Sequence, residues 1–216
     1  NDGFYGGGLY LKNSYSVINH VTISNNTADY CGGVYMGSAN PTLNNVLIKD
    51  NEGDMSGGIT LNNSNPILNN VDIIGNSGGF PGGMELIFSN PIISNLTIKN
   101  NFASYGGGMH CFNSNPSFEN VIITNNIAEN EGGGIVIQQS NLNLNNVTIA
   151  NNSAENGGAV LCVNVGNLSL INCILWNNSP QEIYIVGDGE PSSITISYSD
   201  IQGGEEAIVT NDNGTL

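Results

Sequence analysis

No arginine occurs in the 216 residues, and only three lysines, Lys12, Lys49 and Lys99, stand against 18 acidic side chains. The net charge of −15 repels phosphate backbones and anionic lipid surfaces, which excludes nucleic acid as a partner. No apolar run approaches the roughly 20 residues needed to cross a bilayer, so no membrane insertion is expected of this segment. A secretory leader is also missing, as expected of a mature or excised segment. The four cysteines, Cys31, Cys111, Cys162 and Cys173, show neither CxxC spacing nor a regular repeat. They read as small buried hydrophobes rather than disulfides or metal ligands. Helical apolar periodicity is absent as well.

What is present is a repeat. Asparagine recurs at Asn26, Asn51, Asn76, Asn101, Asn126, Asn152 and Asn178, in steps of 25, 25, 25, 25, 26 and 26 residues. A second column, His20, Asn45, Asn70, Asn95, Asn120, Asn146 and Asn172, keeps the same steps. Two polar columns in phase mean that successive blocks occupy equivalent places, as in a solenoid. Glycine pairs such as Gly32-Gly33 and Gly157-Gly158, and the Asn-Pro pairs from Asn40-Pro41 to Asn115-Pro116, mark the corners. No GKS or GKT follows any glycine pair, so they are not phosphate loops.

Within a block, short stretches alternate apolar and polar residues, the period of half-buried strands. Three strands per coil fit. The first strand's inward columns are Leu9, Val34, Ile59, Met84, Met109, Ile135 and Ala159, and Leu11, Met36, Leu61, Leu86, Cys111, Ile137 and Leu161. Tyr10, Tyr35, Thr60, Glu85 and His110 lie between them and are expected to point outward. The second strand contributes Ile18 through Leu170, and the third Val21 through Cys173 and Ile23 through Leu175. Crossovers of this kind are overwhelmingly right-handed. The reading is an all-β, right-handed parallel β-helix of about 25 residues per coil and seven to eight coils. It spans residues 1–204, with an irregular segment over 205–216 leading into a further region of a longer protein. The asparagine columns are expected to form stacked amide ladders, with His20 replacing one rung. A turn is expected at 187–191. The first coil begins without a cap, so neighbouring parts of a longer protein or another chain, including self-association through the ends, are expected to cover it.

The block of paired glycines with an alternating strand, then Ser-Asn-Pro, then Asn-Val-x-Ile, then Asn-Asn-x-Ala resembles secreted bacterial right-handed β-helix repeat proteins. It is also similar to the repeats of polymorphic outer-membrane proteins and related adhesins. The stretch from Ile174-Leu175-Trp176-Asn177-Asn178 to Ile201-Gln202-Gly203-Gly204 resembles the closing coils of large surface proteins of that group. The resemblance implies an extracellular or cell-surface setting and a structural or adhesive role. The same fold also hosts pectate-lyase-like enzymes.

Lyases of this fold use arginine or lysine as base, and an arginine-free acidic rod is a poor surface for an anionic polymer. Hydrolysis needs two carboxylates across a cleft. Asp72, Glu85 and Glu119 have no evident partners on their faces, and no long insertion is present to build a cleft. No catalytic residue is therefore assigned. In the return loops Asp29 neighbours Asp54, with Glu52 beside them, and Glu129 neighbours Glu155, with Glu131 adjacent. Such oxygen-rich loops suit Ca²⁺, the one cofactor considered; the alternative is a solvated acidic edge. Leu47, Ile74, Ile122, Ile174 and Trp176 give the third strand an apolar outward face suited to another surface protein. Tyr10 and Tyr35 are placed to support a sugar ring. The expected function is a non-enzymatic extracellular stalk or adhesin segment; carbohydrate binding or processing, and a filament building block, are the alternatives.

Overall fold

A computed structural model describes residues 2–187 and 192–211. Alternating apolar residues and left-handed corners together produce a parallel β-solenoid with three sheets. One sheet stacks nine strands in chain order, from Leu9–Lys12 and Val34–Gly37 through Val160–Val163 and Ile183–Val186 to Ile208–Asn211. An eleven-stranded sheet runs from Val17–Ser24 and Thr42–Lys49 to Ser193–Ser197 and Asp200–Ile201. A six-stranded sheet is built from short return segments such as Thr27–Ala28, Glu52–Gly53 and Ile127–Glu131. Neighbours pair in parallel one repeat apart, as in Leu9↔Val34 and Val21↔Val46. At about 4.8 Å per coil, the nine-stranded stack is on the order of 40 Å long.

The strand count per coil agrees with the sequence reading, but its partition differs. The expected second and third strands are one bent strand of eight residues in most coils, such as Ile67–Ile74. Asn70 bends it by taking φ 53°, the left-handed region that asparagine tolerates. The third sheet comes instead from the return segment.

Inward residues form one continuous core from Ile23 and Val34 to Ile194 and Ile208. In the seventh coil the inward residues are Val160 and Cys162, which pair with Ile135 and Ile137. Ala159, expected in that column, lies one residue before it and is still part of the inner core, whereas Leu161, expected to be inward, packs in a separate outer cluster. The triple glycine Gly132-Gly133-Gly134 is the cause. Gly157 matches Gly132 in its left-handed φ, and Gly134 N donates to Gly158 O, so Ala159 takes the place of the pair's second glycine. Ile208–Asn211, expected to be irregular, pairs with Ile183–Val186 and adds a strand to the stack. The expected turn falls mostly on 188–191, outside the described residues.

Candidate functional site

The two asparagine columns have different surroundings. Asn26 through Asn178 are all buried. Each Nδ2 donates to the next Oδ1, at 2.9 Å for Asn26 to Asn51 and 3.0 Å for Asn101 to Asn126. The same Oδ1 also accepts the preceding asparagine's backbone N–H, and Nδ2 reaches a carbonyl of the previous coil, as in Asn101 Nδ2 to Ile73 O at 3.0 Å. Glu182 ends this ladder. Its Oε1 and Oε2 accept Asn178 N and Nδ2 at 3.2 and 2.6 Å, where a further asparagine would otherwise stand. Burial raises the Glu182 pKa against the pull of those bonds. The column of His20, Asn45, Asn70, Asn95, Asn120, Asn146 and Asn172 is exposed throughout and sits at positive φ. Its amide contacts are intermittent: Asn70 Nδ2 donates to Asn45 Oδ1 at 2.6 Å, and Asn45 Nδ2 lies 3.4 Å from His20 Nε2. Its main work is the corner. A buried serine ladder, unassigned from the sequence, links Ser64, Ser89, Ser114 and Ser140 through backbone N–H to Oγ bonds of 3.0 Å.

The column expected to face solvent is the main departure. Tyr10 is half-exposed, but Tyr35, Thr60, Glu85, His110, Val136 and Leu161 are buried. The return segments fold over this side of the nine-stranded sheet and make a second, outer core, seen where Val136, Leu161 and Val163 pack with Tyr105 and Tyr184. Alternation along the strand reports which side a residue faces, and it cannot report that the far side is roofed. Thr60 Oγ1 donates to Glu85 Oε2 at 3.0 Å. Burial pushes the Glu85 carboxyl up to about 7 despite that bond. His110 lies under Phe80, ring centroids 4.5 Å apart, with Nε2 3.3 Å from Gln138 Oε1. Burial holds its pKa down to about 4, and its Nδ1 has no partner among the described residues. Both groups are buried within the outer core.

At the first coils the roof is aromatic. Tyr5 stacks on Tyr10 at 5.7 Å and 18°, and lies 5.2 Å from Tyr35. Tyr30 packs edge-on to Tyr35 at 5.5 Å. Burial, with the nearby Glu85 charge second, raises the Tyr30 phenol to about 12. A lateral cavity of about 260 Å³ opens here, lined by Tyr5, Tyr10, Lys12, Tyr35, Ser38 and Asn62. Tyr5 and Tyr30 sit in return loops, so strand periodicity gave no signal for them.

The acidic loops gather less than expected. Asp29 and Asp54 occupy successive coils in register and are exposed. Glu129 and Glu155 are not opposite one another. An irregularity in the return strand sets Glu155 N on Asn130 O at 2.7 Å, while Glu129 accepts Ser104 Oγ at 2.8 Å. Among the described residues no three His, Cys, Asp or Glu side chains come together to hold a metal ion. The apolar outward residues also divide. Leu47, Ile122 and Ile174 share a column with Asp72 and Thr97, and Ile74 and Trp176 share one with Lys49 and Lys99.

No curated protein and no solved structure gives a significant match to the chain. Residues 146–163 match the repeat of the Chlamydia polymorphic membrane proteins, and the strand that ends this stretch pairs in register with the coil before it. The family model of the right-handed beta helix region matches residues 2–144, across the same ladder and sheets, and the chain belongs to that family.

Proposed function

We propose that this chain is a non-enzymatic, surface-displayed rod of a bacterial extracellular protein, presenting its lateral faces to a glycan or another surface protein. The observation that carries the reading is the strand register of the nine-stranded sheet, kept from coil to coil along the stack. Most coils repeat the previous one, and the described return segments, with strands of two to five residues, are too short to wall a cleft between paired acids. The likeness to the polymorphic membrane protein repeat supports the surface setting. The buried ladder supports stiffness, because every coil is tied to its neighbours by both amide and backbone bonds.

Two measurements test the reading. Antibodies raised against residues 1–216 should label intact cells of the producing organism, and labelling only after permeabilisation would contradict surface display. Incubation with neutral and acidic polysaccharides, with and without Ca²⁺, should leave polymer length unchanged by size-exclusion chromatography. Shortened polymer would overturn the non-enzymatic assignment.

A further inference from the structure

The column that carries Lys12 continues through Gly37, Asn62, Ile87 and Phe112 on neighbouring strands. Only Gly37 in that run lacks a side chain, and the gap forms a notch between Lys12 and Asn62. Tyr35 floors the notch: a Cβ placed on Gly37 would stand 3.2 Å from Tyr35 Cε1. Asn62 Nδ2 donates to the Tyr35 hydroxyl at 3.3 Å and fixes that ring. Tyr10, tilted 31° to Tyr35 with centroids 5.7 Å apart, rises beside it and is stacked behind by Tyr5. The notch is thus part of a lateral face, made by one missing side chain in the middle of a column.

We propose that this notch is a binding site for one pyranose ring of a neutral glycan. A pyranose presents a flat array of C–H groups on one face and hydroxyls around its rim. Tyrosine rings supply apolar area with a polar tip, and Lys12, Ser38 and Asn62 supply donors and acceptors at the edge. The lining is mixed, with polar atoms contributing more of it than apolar ones, which suits a ligand that joins an apolar C–H face to a rim of hydroxyls. The charge of −15 argues against a polyanionic glycan, since a single lysine in the notch does not offset it. A peptide adding itself as a strand is also disfavoured here, because Val34–Gly37 is paired on both sides and offers no free edge. The inference deepens the surface-display reading and rests on it for access to a glycan.

Saturation-transfer NMR on the full 216-residue chain tests it. The probes are the neutral tetraoses of glucose, xylose, mannose, galactose and N-acetylglucosamine, with oligogalacturonate and a proline-rich peptide as alternatives. At least one neutral tetraose should receive saturation at its ring C–H protons. Gly37→Ile, which copies the side chain at Ile87 of the same column, should keep the β-sheet circular dichroism and weaken that binding at least tenfold. Tyr10→Ala, which alters a half-exposed ring, should weaken it similarly and serves if Gly37→Ile folds poorly. Absence of transfer to every neutral tetraose at millimolar concentration would overturn the proposal. So would binding undiminished in the variants, or a preference for the uronate or the peptide. Labelling of intact cells is independent of the notch, so surface display and glycan binding fail separately.

Discussion

Asn101 shows how much one side chain holds. Its Oδ1 accepts Asn76 N and Nδ2 at 2.9 and 3.0 Å, and its Nδ2 donates to Ile73 O and Asn126 Oδ1, all out of contact with water. An unpaired buried polar group costs about 1–3 kcal/mol, and Asn101→Ala strips partners from several. Urea unfolding should show a loss of at least about 3 kcal/mol. Asn69→Ala, at a half-buried side chain that donates to Asn44 Oδ1 and accepts from Ser94 Oγ with water able to replace either partner, should cost no more than about 1 kcal/mol. Equal losses would mean that the buried ladder is not special. The buried acid and base of the outer core titrate in opposite senses. Glu85 is raised to about 7 from 4.5, so its contribution is full below pH 4.5 and is lost as pH rises through 7. His110 is lowered to about 4 from 6.5, so its contribution is full above pH 6.5 and is lost as pH falls through 4. Chemical unfolding of Glu85→Gln across pH 4 to 8 should therefore show stability rising with pH to about 6.5 and then holding, without the wild-type loss toward pH 7. A variant profile parallel to that of the wild type would contradict the burial of this carboxyl.

At the scale of the element, glycine corners set how closely the coils approach. A Cβ on Gly83 would fall 2.4 Å from Gly108 O, a backbone atom with little room to move. Gly83→Ala should lower the unfolding midpoint in urea by an amount equivalent to about 2 kcal/mol or more, although it removes no contact. An unchanged midpoint would mean that the coils have slack. Ala159 occupies the same corner in the seventh coil, where Val160 is followed by its partner Ile183 after only 23 residues. That coil is already irregular. The difference explains what the sequence made legible. Where spacing was constant, the inward columns, the ladder and the corners could be read directly, because each position is set by its equivalents above and below. Where the glycine corner changed, as at Gly157-Gly158-Ala159, the assignment slipped by one, because both Ala159 and Val160 are apolar and alternation does not separate them. The roof over Glu85 and His110 was not legible, because it depends on how glycine-rich return loops fold back. The tyrosine notch was half legible: Tyr10 and Tyr35 stand on a strand, whereas Tyr5 comes from a loop and Gly37 acts through an absent side chain.

For the molecule as a whole, the central claim is that each 25-residue coil is an interchangeable unit held in register by its neighbours. Deleting residues 77–101 joins Asn76 to Phe102, which puts one ladder asparagine in the place of another and restores every inward column. Deleting residues 77–100 leaves one residue too many, which sends side chains beyond the junction to the wrong face until the chain recovers register. Far-UV circular dichroism with urea unfolding compares the two directly. The account predicts a β-sheet spectrum and a single cooperative transition for the 25-residue deletion, with a marked loss of both for the 24-residue deletion. Equal behaviour of the two chains would contradict it.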